Sequence, residues 1–216
     1  MKYLNISAVM LASTLLFGCV NTRSVVDVQA PQGAAVGTGP KVAITAVDER
    51  SFEAKPPSAD IPSLKYDKDI SDTAITQRAL GRKRNSYGMA MGDVLLPDGK
   101  TVAQLVANSI AEGYRKAGYQ VVDHADAGSD TQAVKVHVVE FWSWFSPGAF
   151  SVAVNNKAHL TLDAQGAAKP VELVTKKRES MQFVTEGDWK VITEQGLQAI
   201  TEATTQELCA STQCPK

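Results

Sequence analysis

The stretch from Thr101 to Ala117 constrains the fold of this chain more than any other. Val102, Leu105, Val106, Ile110, Gly113, Tyr114 and Ala117 fall on one face of a helix. Thr101 and Gln104 have the spacing of a capping box, in which each side chain satisfies the other residue's free backbone N–H. Gly118 then stands where a helix needs a left-handed residue to stop. A helix with one apolar stripe must lay that stripe on something, and the chain beyond Gly118 is strand-like. Tyr119 to Val122 begins a strand, and Val134 to Phe145 is rich in β-branched and aromatic residues. Phe150 to Leu162 alternates, with Phe150, Val152, Val154, Ala158, Leu160 and Leu162 on one face and Asn156 interrupting it. Val171 to Val184 alternates in part, with Val171, Leu173, Met181 and Phe183 on one side. Ser146-Pro147-Gly148-Ala149 has hairpin length, and Gly166 and Pro170 bracket the next turn. A last helix is expected from Asp188, as N-cap, to Leu208, with Trp189, Ile192, Ala199, Ile200, Ala203 and Leu208 inward.

Val42 to Val47 reads as the first core strand, so the expected order is β-α-β-β-β-β-α. That order predicts an α+β fold: a two-layer sandwich of a mainly antiparallel sheet with both helices on one face. The chain's 216 residues, 44% hydrophobic and 21% charged, suit one core. Its 22 basic and 23 acidic side chains leave a net charge of -1. Such a balance provides no overall field to steer nucleic acid, which is excluded from the expected partners.

The first residues read as an address. Lys2 is a short positive region, and Leu4 to Phe17 is mostly apolar. As a helix those 14 residues span about 21 Å, short of a bilayer core of about 30 Å. They fit a cleavable secretory signal at residues 1–18. Leu16-Phe17-Gly18-Cys19 resembles the lipobox of bacterial lipoproteins. The resemblance implies that Cys19 carries the lipid and becomes the first residue of the mature chain. Acyl chains contribute about 0.8 kcal/mol per buried CH₂, so two or three make the attachment effectively permanent. Val20, where an Asp would signal inner-membrane retention, implies outer-membrane sorting with the body facing the periplasm. The membrane, through this anchor, is the first expected partner, and an envelope protein or glycan is the second.

Residues 19–40 read as a tether rich in Gly, Pro and small polar residues, although Val25 to Val28 is β-prone and suited to a sheet edge. Residues 41–216 read as a single periplasmic domain, with a long irregular insertion at 51–97. Pro56, Pro57 and Pro62 forbid regular structure early in that insertion, while Arg78 to Leu96 suits a hairpin or an ordered loop. Cys209 and Cys214, an even pair in an exported chain, read as a disulfide just after the last helix. A metal reading of that pair lacks a second cysteine pair and a nearby histidine.

No nucleophile elbow, phosphate loop or metal spacing is visible, so neither a catalytic residue nor a metal or cofactor is expected. His124, His137 and His159 sit on separate elements, with His137 and His159 on adjacent strands. Asp48-Glu49, at a strand end, has the composition of an acid/base pair but is more simply a solvated turn. Arg82, Lys83 and Arg84, beside Tyr87 and between Gly81 and Gly88, form the candidate grip for phosphate, acidic sugar or a carboxylate-rich partner, unless they are a solvated hairpin tip. Trp142 and Trp144 share one strand face and Phe141 and Phe145 the other. With helices on one face, the opposite rings are either covered by residues 19–40 or 51–97 or form a partner groove.

The combined features resemble the uncharacterised bacterial lipoprotein family typified by YajG. They are Cys19, the strand 42–47 followed by Asp48 and Arg50, and the helix ending Ala117-Gly118-Tyr119-Gln120-Val121. The resemblance implies an envelope lipoprotein; an accessory lipoprotein of a transport or flagellar complex is the alternative, and an envelope polysaccharide enzyme is the remotest reading. The 51–97 segment is longer than in the shorter members of that family.

Overall fold

A computed structural model describes residues 23–35, 37–85, 87–148 and 150–210. Its strands are β1 (Ser24–Val25), β2 (Lys41–Asp48), β3 (Ala79–Arg84), β4 (Ala90–Leu95), β5 (Gln120–Val122), β6 (Thr131–Pro147), β7 (Val152–Ala164) and β8 (Val171–Met181). Its helices are α1 (Thr73–Thr76), α2 (Val102–Lys116) and α3 (Glu186–Ala210), with 3-10 turns at Asp67–Ser71 and His124–Asp126. No described helix is long and apolar enough to cross a membrane.

The 17-residue β6 is the spine. Antiparallel β7 runs along one edge of it, followed by β8. The other edge is shared end to end. β2 pairs with residues 131–138, and β3 pairs with Ser143 and Trp144. β5 extends the sheet beyond β2, while β4 and then β1 extend it beyond β3. The pairs β1–β4, β2–β5, β2–β6 and β3–β6 are parallel. The sheet is therefore mixed, which corrects the mainly antiparallel expectation. Crossover connections such as the one through α2 return the chain to the end where it started, and so force parallel pairing.

The expected caps of α2 form. Thr101 Oγ1 accepts from the Gln104 N–H at 3.2 Å, and Gln104 Oε1 accepts from the Thr101 N–H at 3.1 Å. Gly118 comes next with φ +93°. α3 starts two residues before the expected cap. Asp188 instead sits one turn in and accepts from the Thr185 N–H at 2.7 Å, the reach-back half of a capping box. α2 and α3 lie against one face of the sheet, and Val134, Val136, Val138, Phe141, Leu160, Ile110, Ile192 and Ile200 meet there with at most 1% exposure. The two helices approach tightly at Gly113, where an added Cβ would stand 2.7 Å from Thr204 Cβ.

A bulge at Val139 decides what the other face carries. Val138 pairs with Leu160 and Glu140 with His159, so β6 holds one extra residue. Before it, the even-numbered Val134, Val136 and Val138 face the helices; after it, Phe141 and Phe145 do. Trp142 is thereby turned to the opposite face, into a second core with Leu64, Ala79 and Leu95, against which Phe52, Ile70, Ile75 and Trp144 pack. Residues from the 51–78 segment thus form a partial third layer, which a two-layer description omits.

Two boundaries move. Residues 51–97 are not an irregular insertion throughout, since they hold α1, β3 and β4. Residues 23–40 are not a free tether. Val26, Val28 and Ala30 are buried in the main core, and the Val26 N–H donates to Leu95 O at 2.9 Å. Arg23 binds Asp69 and, at 3.3 Å, Asp93, while Ala34 N–H donates to the buried Glu112 carboxylate at 2.7 Å. Arg23 and the residues that follow it are thus part of the folded body.

Candidate functional site

Alternation on β3 splits the basic run. Lys83 points to the helix side, where its Nζ meets Ser24 Oγ and lies 3.9 Å from Glu186. Arg82 and Arg84 point to the side of Trp144. Arg84 donates to Gly88 O at 3.1 Å and to Ser63 Oγ at 3.3 Å. The Nε atoms of both arginines are buried without a hydrogen-bond partner among the described residues. Burial pushes both guanidinium pKa values below their ordinary level; Asp93 and Asp67 oppose this at Arg82, and Arg82 adds to it at Arg84. The three cations therefore do not form one grip. Two belong to a half-buried polar layer and one to the seam with α3.

The aromatic candidates also separate. Trp142 is fully buried, and its Nε1–H donates to Ala59 O at 3.3 Å. Phe52 meets its ring edge-on at 5.8 Å. No partner groove exists at Trp142, because residues 51–78 fill the space. Trp144 is half-buried against the same cluster, whereas Tyr87 stands 89% exposed at the tip of the β3–β4 hairpin. Cys19 and Cys214 lie outside the described residues, and Cys209 sits in the last turn of α3.

Asp48 and Glu49 do not converge. Both Asp48 oxygens hold Arg50, at 2.8 and 2.7 Å, and Glu49 reaches His137 at 2.7 Å. Arg50 is the residue that spacing does not single out. It sits where the edge of β6 passes from β2 to β3, with its side chain fully buried. It donates to Ala79 O (2.6 Å), Phe141 O (3.1 Å) and Thr76 O (2.8 Å), carbonyls around that junction. His159 pairs with Glu172 at 2.6 Å, and that bond, with one from Thr161, holds the Glu172 carboxyl below the usual range. No group of three or more potential metal ligands occurs among the described residues.

Two mostly apolar cavities lie at opposite ends of the sheet. One, of about 580 Å³, opens between the β3–β4 hairpin, the β6–β7 hairpin and the start of α3, and is lined by Lys83, Met91, Phe145, Val152, Phe183 and Trp189 among others. The other, of about 570 Å³, lies under the β7–β8 turn against Tyr114, Leu162, Leu173 and Leu208. The first has an apolar rim. Phe150 is 95% and Phe183 74% exposed, although alternation places both rings on the helix-covered face. Each lies past the end of its ladder, at a turn, where alternation no longer assigns a side.

No family model matches this chain, and no curated protein matches it. Among solved structures, a Xanthomonas campestris protein of family DUF330 aligns at 11% identity over 89% of this chain and 97% of its own, with a TM-score of 0.50. An uncharacterised protein aligns at 12% identity over 87% and 98%, with a TM-score of 0.47. A lipoprotein from Neisseria meningitidis aligns at 12% identity over 76% and 99%, with a TM-score of 0.24. At this identity the Xanthomonas likeness concerns the fold alone. With no family model matching, the YajG-type resemblance rests on the sequence motifs.

Proposed function

We propose that the protein is a lipid-anchored envelope lipoprotein, fixed by acylated Cys19 to the periplasmic side of the outer membrane, with a non-catalytic binding or structural role. One observation carries the reading. Ser24, five residues past Cys19, already belongs to the sheet, so acylation there holds a folded body against the membrane rather than on a long leash. The carboxylates considered for acid/base work support the non-catalytic part, since Asp48 is committed to Arg50 and Glu49 to His137. The partner is an envelope protein or glycan. Mass spectrometry of the N-terminal peptide from native envelopes tests the anchor: a diacylglyceryl Cys19 is expected, and Cys19→Ala should move the protein to the soluble periplasmic fraction. An unmodified Cys19 overturns the proposal.

A second reading, an accessory lipoprotein of a transport or motility complex, draws on the apolar cavity beside Tyr114, Leu162 and Leu208. It predicts a stoichiometric lipid in organic extracts of the purified protein. Leu162→Trp, which fills that cavity, should abolish co-purification of the lipid.

A further inference from the structure

The two ends of the sheet differ in what they expose. β3 and β6 run parallel, with Arg82 beside Trp144, so the β3–β4 and β6–β7 hairpins turn at the same end. Val152 pairs with Pro147 on one side and Met181 on the other, so β8 finishes there as well. Tyr87, Met89, Phe150 and Phe183, at 89%, 60%, 95% and 74% exposure, thus lie in the turns of that one end. The turns around His124–Asp126 and Gly166 at the opposite end hold no large exposed apolar side chain among the described residues.

The direction of β1 relates the described N-terminal residues to the same end. β1 is parallel to β4, with Ser24 beside Val94 and Val25 beside Leu95. Going backwards from Ser24 therefore runs back along β4 towards Ala90 and the hairpin tip. Arg23 keeps to that path by binding Asp93. Five residues of fully extended chain reach about 18 Å, so Cys19 stays within that distance of Ser24. A lipid on Cys19 brings the bilayer surface to the edge of the apolar rim.

We infer that this rim is a membrane-docking surface, in which Tyr87, Met89, Phe150 and Phe183 enter the interfacial layer of the bilayer that holds the anchor. The inference rests on the lipoprotein reading and adds an orientation to it. Aromatic side chains are favoured at the headgroup level, where an apolar ring meets water on one side and acyl chain on the other. One lipid anchor with a surface contact beside it also fixes the angle of the body, which an anchor alone leaves free. The opposite cavity, under the β7–β8 turn, is then directed away from the bilayer.

The test uses the full acylated chain in vesicles of phosphatidylethanolamine and phosphatidylglycerol containing brominated phosphatidylcholine. Phe150→Trp reports on the rim and Ala167→Trp on the far turn, each read as added fluorescence over the unsubstituted chain. Quenching at position 150 should be at least about twofold stronger than at 167. Equal quenching, or none at 150, in a chain whose acylation is verified by mass spectrometry overturns the docking surface alone and points to a protein partner or a second copy at the rim. A chain recovered without acyl groups overturns both the docking and the lipoprotein reading.

Discussion

The two faces of β6 are stabilised by different means. On one face, two capped helices lay apolar side chains on Val134, Val136, Val138 and Phe141, a mostly hydrocarbon contact interrupted by the buried hydrogen bonds that Ser143 shares with Thr193 and Asn156. On the other, the cover is mostly irregular chain held by Arg50, the Trp142 ring and a smaller apolar cluster. Irregular backbone cannot satisfy its own polar groups, so it needs a donor such as a guanidinium where a helix needs none. The first face resists local damage by redundancy. The second concentrates its stability in a few side chains.

The largest effect expected from this contrast is at Arg50. Arg50→Ala strands the Ala79, Phe141 and Thr76 carbonyls and leaves Asp48 unpaired, and should cost about 3–5 kcal/mol in chemical denaturation. Arg50→Lys should recover only part of this, because an ammonium lacks the planar fork. A loss under about 1 kcal/mol would show that the junction does not depend on it.

Next come paired truncations of the two cores. Trp142→Ala should cost about 3–5 kcal/mol and Ile200→Ala about 2–5 kcal/mol, both side chains being fully buried. They should differ in where protection is lost. Hydrogen exchange should quicken mainly over residues 52–76 for Trp142→Ala, and across α2, α3 and the sheet for Ile200→Ala. The same exchange map for both variants would break the distinction between the faces.

The smallest effect emerges only at high pH. Burial pushes the Tyr114 hydroxyl, on the helix side, up to about 12, with Tyr119 adding to the shift. The raised value means that Tyr114 stays neutral in the fold while the unfolded chain ionises near 10. Its contribution is therefore full below pH of about 10 and is lost as pH rises towards 12. Tyr114→Phe should leave stability at pH 7 almost unchanged and flatten the alkaline decline, as monitored by thermal melts between pH 8 and 11.

How much is legible in the sequence divides along the same line. α2, its capping box, Gly118 and the apolar face of β7 are readable because each obeys one period or one cap rule over many residues. The far face is not. The extra residue at Val139 resets the parity of β6, and no alternation rule anticipates a bulge from a run as uniformly β-prone as Val134–Phe145. Arg50 reads as a strand-end charge, because burial of a guanidinium depends on carbonyls supplied by residues 26 to 91 positions away. The tether is different, because the signal against it is present. Val26, Val28 and Ala30 alternate with Asp27 and Gln29, a half-buried strand pattern outweighed by the nearby Gly and Pro. The candidate basic grip dissolves for the reason that period-two backbone always gives: consecutive cations on a strand point opposite ways.

The stitching of residues 23–40 onto the body has a mechanical consequence. β1 contributes only two residues to the sheet edge, and it lies next to the point where any tug through an acylated Cys19 enters the fold. Under load that seam should yield before β6 and its neighbours do, releasing residues 24–40, about 60 Å of extended chain, while most of the sheet stays intact. On the proposed lipoprotein reading, the same molecule would then have two heights above a membrane, a short one at rest and a tall one under tension. Single-molecule pulling from an N-terminal handle should register the first as a small step before the main rupture.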